Sequence, residues 1–277
     1  MSARTQTAPT ARSALYEAPG PRARRRIAIG TAASAVLLVL LVLLVVRQFY
    51  VTGQLAPRYW SFLLEWPTWR FLLQGFVGTV EVALTAGVIA LVLGLALMLG
   101  RVSGIAPLSA LCRVVTDFFR GVPSLLLIYF FFLVVPQYGI QMPAFWMLTL
   151  PVALAASGVL AEVFRAGVNA VPKGQVEAAL SIGLSPAKTM RRIVLPQAIR
   201  YVIPSLIAQL VVVVKDTTVA YVVSYPDLMQ NARVLITNYD ALLSMYLVVA
   251  VIYVLINFAI NKASVYVARR TGVKIIR

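Results

Sequence analysis

The sequence predicts an all-α, polytopic membrane protein with about six transmembrane helices. Three observations predict it. Of 277 residues, 61% are hydrophobic and only 12% are charged, more apolar sequence than a soluble domain of this length can bury, so the bilayer must solvate most of it. Long apolar runs recur six times, each of about 20 residues or more and so able to cross the hydrocarbon core. Lys and Arg crowd alternate breaks between these runs, the pattern of loops that stay on the cytoplasmic side.

Residues 1–26 are rich in Ala, Thr, Pro and Arg without apolar periodicity, and read as a disordered basic tail ending in Arg22, Arg24, Arg25 and Arg26. Residues 27–46 are uncharged and apolar and read as a membrane anchor. A signal peptide is the competing reading, but its apolar core would be shorter and a small-x-small cleavage site would follow Val46. Residues 47–70 hold Tyr50, Tyr59, Trp60, Trp66 and Trp69, which suits an aromatic belt at the outer interface.

Five further spans follow at about 72–99, 108–135, 144–166, 198–223 and 241–263. The breaks between them are 101–104, 136–139, a basic segment at 173–198, and 224–240; a short basic tail, 266–277, closes the chain. Gly75, Gly78, Gly87 and Gly94 in the second span permit close helix packing. Pro123, Pro151 and Pro204 lie inside spans, where each removes a helix hydrogen bond and favours a kink or an unwound turn. Nineteen of the 25 Lys and Arg residues fall in the first tail, after residue 260 and in the loops at 100–113 and 165–200, against four in the opposite loops. Both termini and the 173–198 segment are therefore expected in the cytoplasm.

The net charge of +16 would suggest nucleic acid in a soluble protein. Here the basic residues border apolar spans, so orientation and anionic lipid account for them and no nucleic-acid partner is expected. Histidine is absent and Cys112 is the single cysteine, which excludes His-based metal sites and Ser-His-Asp chemistry and argues against an intramembrane enzyme. No G-x-x-x-x-G-K-[ST] phosphate loop occurs, so any ATP chemistry belongs to another chain.

Charges at bilayer depth are costly and usually face a bundle interior or a water-filled path. Glu81 lies two residues after Thr79 in the second predicted span; Asp117 and Arg120 are three apart in the third; Glu162 and Arg165 are three apart near the end of the fourth. The Glu162–Arg165 spacing suits a helix-locking pair, and Asp117–Arg120 suits either a lock or a path. In the fifth span Lys215 and Asp216 are adjacent and followed by Thr217 and Thr218. Neighbours on a helix point about 100° apart, so these two do not readily neutralise each other, and they are the strongest candidates for a substrate path or gate. A lining of both signs matches a zwitterion, and so an amino acid, better than a sugar or a metal ion.

The break KGQVEAALSIGLSPAKTMRRIVLPQA is polar and basic. A helix at about 174–183 would set Val176, Ala179 and Leu180 along one side, with Ile182 loosely beside them, and Glu177 and Ser181 on another. Gly183 can end it in a left-handed turn, and Ser185-Pro186 reads as N-cap and first position of a second helix. A cytoplasmic knob with an apolar side needs a protein partner.

Glu177-Ala178-Ala179, Leu180, Gly183 and then Leu195-Pro196 resemble the signature of the membrane subunits of bacterial ATP-binding-cassette importers. The stretches at 74–87, 118–132, 161–186, 193–206 and 213–224 resemble the polar amino-acid branch of these permeases, glutamate-type members most of all. The likeness covers about residues 70–265 and leaves the tail and first span outside. Arg120, Gly121 and Pro123 match the branch's R-G-x-P element, with Val122 where Thr is usual; Lys215, Thr217 and Thr218 match K-x-[ST]-[ST], with Thr-Thr where Ser is common. The resemblance implies an importer-type permease core, at 71–265, plus one extra N-terminal helix. It implies that the 174–183 helix couples to two ATPase subunits carrying ATP and Mg, with no cofactor on this chain. It also implies a second permease subunit, a homologue in preference to an identical copy, and an extracytoplasmic binding protein. The rival is an ion-coupled secondary transporter or channel, in which the segment would be a plain loop; the chain has no evident inverted repeat.

Overall fold

The computed structural model describes residues 20–270, and the chain divides into two units, Met1–Pro57 and Arg58–Arg277. In the first, helix α1 spans Pro21–Val51 and none of its residues is buried. A helix apolar on every side and unburied is suited to lipid. It begins six residues before the expected start at Ile27, because Pro21 is pre-organised for the first helical turn and the arginines after it are good helix formers. Most of the expected 1–26 tail lies outside the described residues.

The second unit opens with two 3₁₀ turns, Pro57–Tyr59 and Ser61–Leu64, that lead into α2 (Trp66–Arg101). Here the expected aromatic belt is divided. Tyr50 and Trp66 are exposed, but Tyr59 is buried, and its carbonyl accepts the Ser244 hydroxyl at 2.6 Å. Phe62 is buried and stacks on Tyr239, with ring centroids 4.5 Å apart. Phe62 joins a buried cluster with Leu72, Leu228, Leu235 and Met245.

The single span expected at 108–135 is broken. Helix α3 (Ala106–Gly121) and the segment 124–138, which starts with α4 (Ser124–Tyr129), meet at an angle of 97°. Pro123 disfavours helical backbone at the residue before it, and Val122 is accordingly extended, with φ −84 and ψ 126. Helix α4 passes through a wide π turn, Phe130–Val134, into a 3₁₀ turn containing Pro136. Helix α5 (Ala144–Ala170) follows, then α6 (Lys173–Ser181) and α7 (Pro186–Thr189). A second π turn, Met190–Val194, leads to α8 (Leu195–Asp216), which tightens into a 3₁₀ segment, Thr217–Val223. Both π turns come just before a proline. A proline ring clashes with the carbonyl four residues back, and a widened turn moves that carbonyl aside. Pro151 and Pro204, where kinks or unwinding were expected, lie inside continuous helical segments.

The break expected at 224–240 contains a helix, α9 (Leu228–Tyr239), before α10 (Leu242–Arg270). The last helix thus runs into the tail expected from 266; residues 271–277 lie outside the described set. The core joins the small-residue faces of α2 and α5, with Val82, Ala86 and Ala90 against Val152, Ala153 and Ala156, to Val213, Val214 and Ala220 from the α8 strand of chain. Small residues let helix backbones approach closely where no water drives them together. By length and composition five helices among the described residues can cross a membrane, or six with the bent pair counted as one span.

Candidate functional site

At one end of the second unit, α6 is held by its own chain. Ala179 is buried, and Val176 packs with Val171, Met190, Val194 and Ala198. Leu180 and Ile182 are exposed, Ile182 by 78%, as are Glu177 and Ala178. The apolar side expected to seek a partner is therefore divided. A helix of nine residues anchored between two spans turns one face inward, and that face takes Val176 and Ala179. The Ser181 hydroxyl donates to the Glu177 carbonyl at 2.9 Å.

The helix ends as a Schellman motif. The Leu184 N–H donates to the Ala179 carbonyl at 3.1 Å and the Gly183 N–H to Leu180 at 2.9 Å. Gly183 has φ +81°, a left-handed conformation that glycine adopts without steric cost. Ser185 and Pro186 stand at N-cap and first position of α7, as their order suggests. A cavity of about 960 Å³ lies beside this joint, lined by Leu99, Val102, Val176, Leu180, Met190 and Leu195 among others. Leu195 packs against the core and Pro196 is exposed in the first turn of α8. Both thus occupy the joint between the knob and the span.

Near the ends of α2 and α5 adjoining this region, Glu162 gathers arginines. Its carboxylate accepts from Arg101 and, at 2.8 Å, from Arg165; Arg120 lies 4.0 Å away. Arg120 is also 4.0 Å from Asp117, both about half-exposed. The carboxylate ties α2, α3 and α5 together, and its oxygens are already engaged by guanidiniums, as befits a lock. The 97° bend moves Asp117 and Arg120 out of a straight apolar span.

The remaining candidates gather near the end of α8 and the start of α9. Lys215 is exposed, and no ion pair joins it to Asp216 among the described residues. Asp216 is within hydrogen-bonding reach of Ser124, the first residue after the bend. The Thr218 hydroxyl donates to the Lys215 carbonyl at 2.7 Å, while Thr217 is buried and donates to Val214 at 2.9 Å. Thr79 is buried too, and its oxygen accepts the Leu228 N–H at 3.1 Å. Thr79 and Thr217 are thus buried and bonded to backbone, whereas Lys215 is exposed and Asp216 and Thr218 are half-buried. Glu81 is exposed and accepts the Tyr225 hydroxyl at 3.3 Å. Burial, and then the charge of Glu81, pushes the Tyr225 phenol up to about 12.

Sequence reasoning missed Asp227. It caps α9, its Oδ1 accepting the Gln230 N–H at 2.7 Å. Its side chain is buried, Oδ2 has no partner, and burial pushes its carboxyl up to about 6. The D-x-x-Q spacing before α9 is a capping-box pattern that could have announced the helix.

The family model described as "binding-protein-dependent transport system inner membrane component" matches residues 90–273. That match covers most of the permease core, including α6, the Glu162 carboxylate and the α8–α9 segment, and begins after Thr79 and Glu81. The chain belongs to this family. It is a multi-pass inner-membrane component of a binding-protein-dependent transport system, the permease of an ATP-driven amino-acid importer. Among curated relatives, the glutamate transport system permease protein GluD of Corynebacterium glutamicum is 33% identical over 222 residues, spanning 79% of this chain and 81% of that one. The probable glutamine permease GlnP of Bacillus subtilis is 33% identical over 204 residues, spanning 74% and 93%. A solved structure described as an amino acid ABC transporter with histidines superposes with a TM-score of 0.71 at 28% identity, over 76% of this chain and 98% of that one.

Proposed function

We propose that this permease carries a polar amino acid of the glutamate type and is driven by separate ATPase subunits that hold ATP and Mg. The observation that carries the coupling reading is the α6 knob. A Schellman-closed helix presents Glu177, Leu180 and Ile182 outward while Val176 and Ala179 fix it to the spans. A rigid lever needs both, a face for the partner and a face welded to what it moves. Closure of two ATPase subunits then shifts α6, and differential contacts in two states switch the spans between inward-facing and outward-facing forms.

A second permease subunit, a homologue in preference to a copy, completes the path, and an extracytoplasmic binding protein delivers the cargo. Both termini and α6 face the cytoplasm, in keeping with the excess of Lys and Arg on that side. Lys215, Asp216 and Thr218 line the path, while Glu162, with Asp117 and Arg120 beside it, holds the helices near α6. The glutamate assignment draws on relatives named for glutamate and glutamine transport.

Affinity purification from the native membrane tests the reading, with co-purifying ATPase subunits expected. Glu177→Arg is expected to abolish uptake while the permease still inserts. An ion-coupled transporter would take up substrate without ATP, and Glu177→Arg would leave its uptake intact.

A further inference from the structure

The path motif continues beyond Lys215-Asp216-Thr217-Thr218 on a face that the reading above does not use. In a 3₁₀ helix, side chains three apart eclipse, so within Thr217–Val223 the residues Thr218 and Tyr221 stand one above the other. The Thr218 bond to the Lys215 carbonyl places Lys215 one turn earlier on the same strip. Lys215 and Tyr221 are both exposed. At the far end of the strip α9 brings in Arg233, whose guanidinium carbon lies 4.3 Å from the Tyr221 ring centroid. Gln230, Val234 and Thr237 complete a cavity of about 350 Å³ around this pair.

Arg233 is exposed and forms no ion pair with a carboxylate among the described residues. Glu81 accepts the Tyr225 hydroxyl, and Asp227 is buried and caps α9 through the Gln230 N–H. An aromatic face holds a guanidinium flat and leaves its edge donors directed outward, a geometry matched to a carboxylate. Gln230 and Thr237 add neutral polar groups at the rim.

We propose that the Tyr221–Arg233 shelf binds a carboxylate of the transported substrate. With Lys215 and Asp216 it supplies two cations and one acid, Glu81 being bonded to the Tyr225 hydroxyl, and so complements an acidic amino acid, which has two carboxylates and one ammonium. A neutral amino acid would leave one of the two cations without a partner. The proposal deepens the importer reading and rests on it.

The test is uptake of labelled glutamate and of labelled glutamine by the assembled importer in proteoliposomes, at saturating binding protein. Arg233→Gln is expected to lower the glutamate-to-glutamine uptake ratio about tenfold, the effect of one charge-assisted hydrogen bond. Arg233→Lys, which keeps the charge but loses the stacked fork, is expected to restore only part of it. The binding-protein concentration for half-maximal ATPase activity should not move. An unchanged ratio, or equal loss for both substrates, overturns the shelf as a selectivity station. A shift in the half-maximal binding-protein concentration overturns it too, by assigning Arg233 to docking. A wild-type assembly with no ATP-driven uptake refutes the importer reading itself, whereas uptake with an unchanged ratio refutes only the shelf.

Discussion

The carbonyl oxygen of Pro226 lies 2.5 Å from where a Cβ on Gly78 would stand. At Gly75 the corresponding neighbour is the Asp227 carbonyl, at 2.6 Å. The backbone that starts α9 is thus pressed onto two glycines of α2, and Thr79 and Asn231 fasten it there, the Asn231 amide donating to the Phe71 carbonyl at 2.7 Å. Neither carbonyl can retreat without moving α9. Gly78→Ala is expected to destabilise the purified permease by about 1–3 kcal/mol, the usual range for overpacking. Gly174→Ala, where nothing lies within 4 Å, is the control and should be neutral or slightly stabilising. Thermal unfolding in detergent distinguishes them.

Asp227 predicts a pH dependence. Its folded carboxyl titrates near 6 because it is buried, against ~3.9 for an unperturbed aspartate. Folding therefore favours the protonated form. The contribution is fully present below the unfolded value and is lost as pH rises through about 6. From this group the wild-type protein should lose melting temperature between about pH 4 and pH 7, with little further change above that. Asp227→Asn, which keeps an oxygen to cap α9, should flatten that slope, while Asp227→Ala should also lose the cap, about 1 kcal/mol.

The Glu162 hub predicts an unequal response to removing either partner. Arg101→Gln leaves Glu162 bonded to Arg165, whereas Glu162→Gln leaves guanidiniums crowded without their counter-charge. Loss of the shared carboxylate should cost on the order of 3 kcal/mol, and loss of Arg101 clearly less. A double-mutant cycle in chemical unfolding measures the coupling; equal losses would contradict the hub.

At α6, Gly183→Ala forces an L side chain into φ +81° and should cost about 1–2 kcal/mol locally. Gly183→Asn should be better tolerated. Ile182→Asp changes an exposed side chain, so unfolding should not shift, yet ATPase subunits should no longer co-purify. Pull-down and melting measured on one preparation separate the two effects.

The spans were legible because continuous apolar runs survive any tertiary context. Their directions were not. The apolar pattern crosses Val122-Pro123 without a break, so a 97° bend looked like one straight span. The α6 helix, its glycine terminus and the Ser185-Pro186 start were legible from local chemistry. Its inward face was not, because Val176 and Ala179 choose between solvent and core only once Met190 and Val194 are in place. Arg101 and Glu162 are 61 residues apart, a pairing with no local signature, and Glu162 was matched only to Arg165. Helix α9 carries its signal in Asp227 and Gln230, but a 12-residue helix between two spans lacks the long apolar run that marks a crossing.

The two widened turns before Pro136 and Pro196 have a consequence for how this chain can vary. Each π turn holds one residue more than an α-helical path would need. A further residue inserted within Met190–Val194, which the already widened turn cannot absorb, would rotate α6 relative to α8 by about 100°. Glu177, Leu180 and Ile182 would then face a different quarter, with every side chain chemically intact. In these five positions the number of residues is a functional property separate from their identity. Substitutions there should be tolerated far more often than single-residue insertions or deletions.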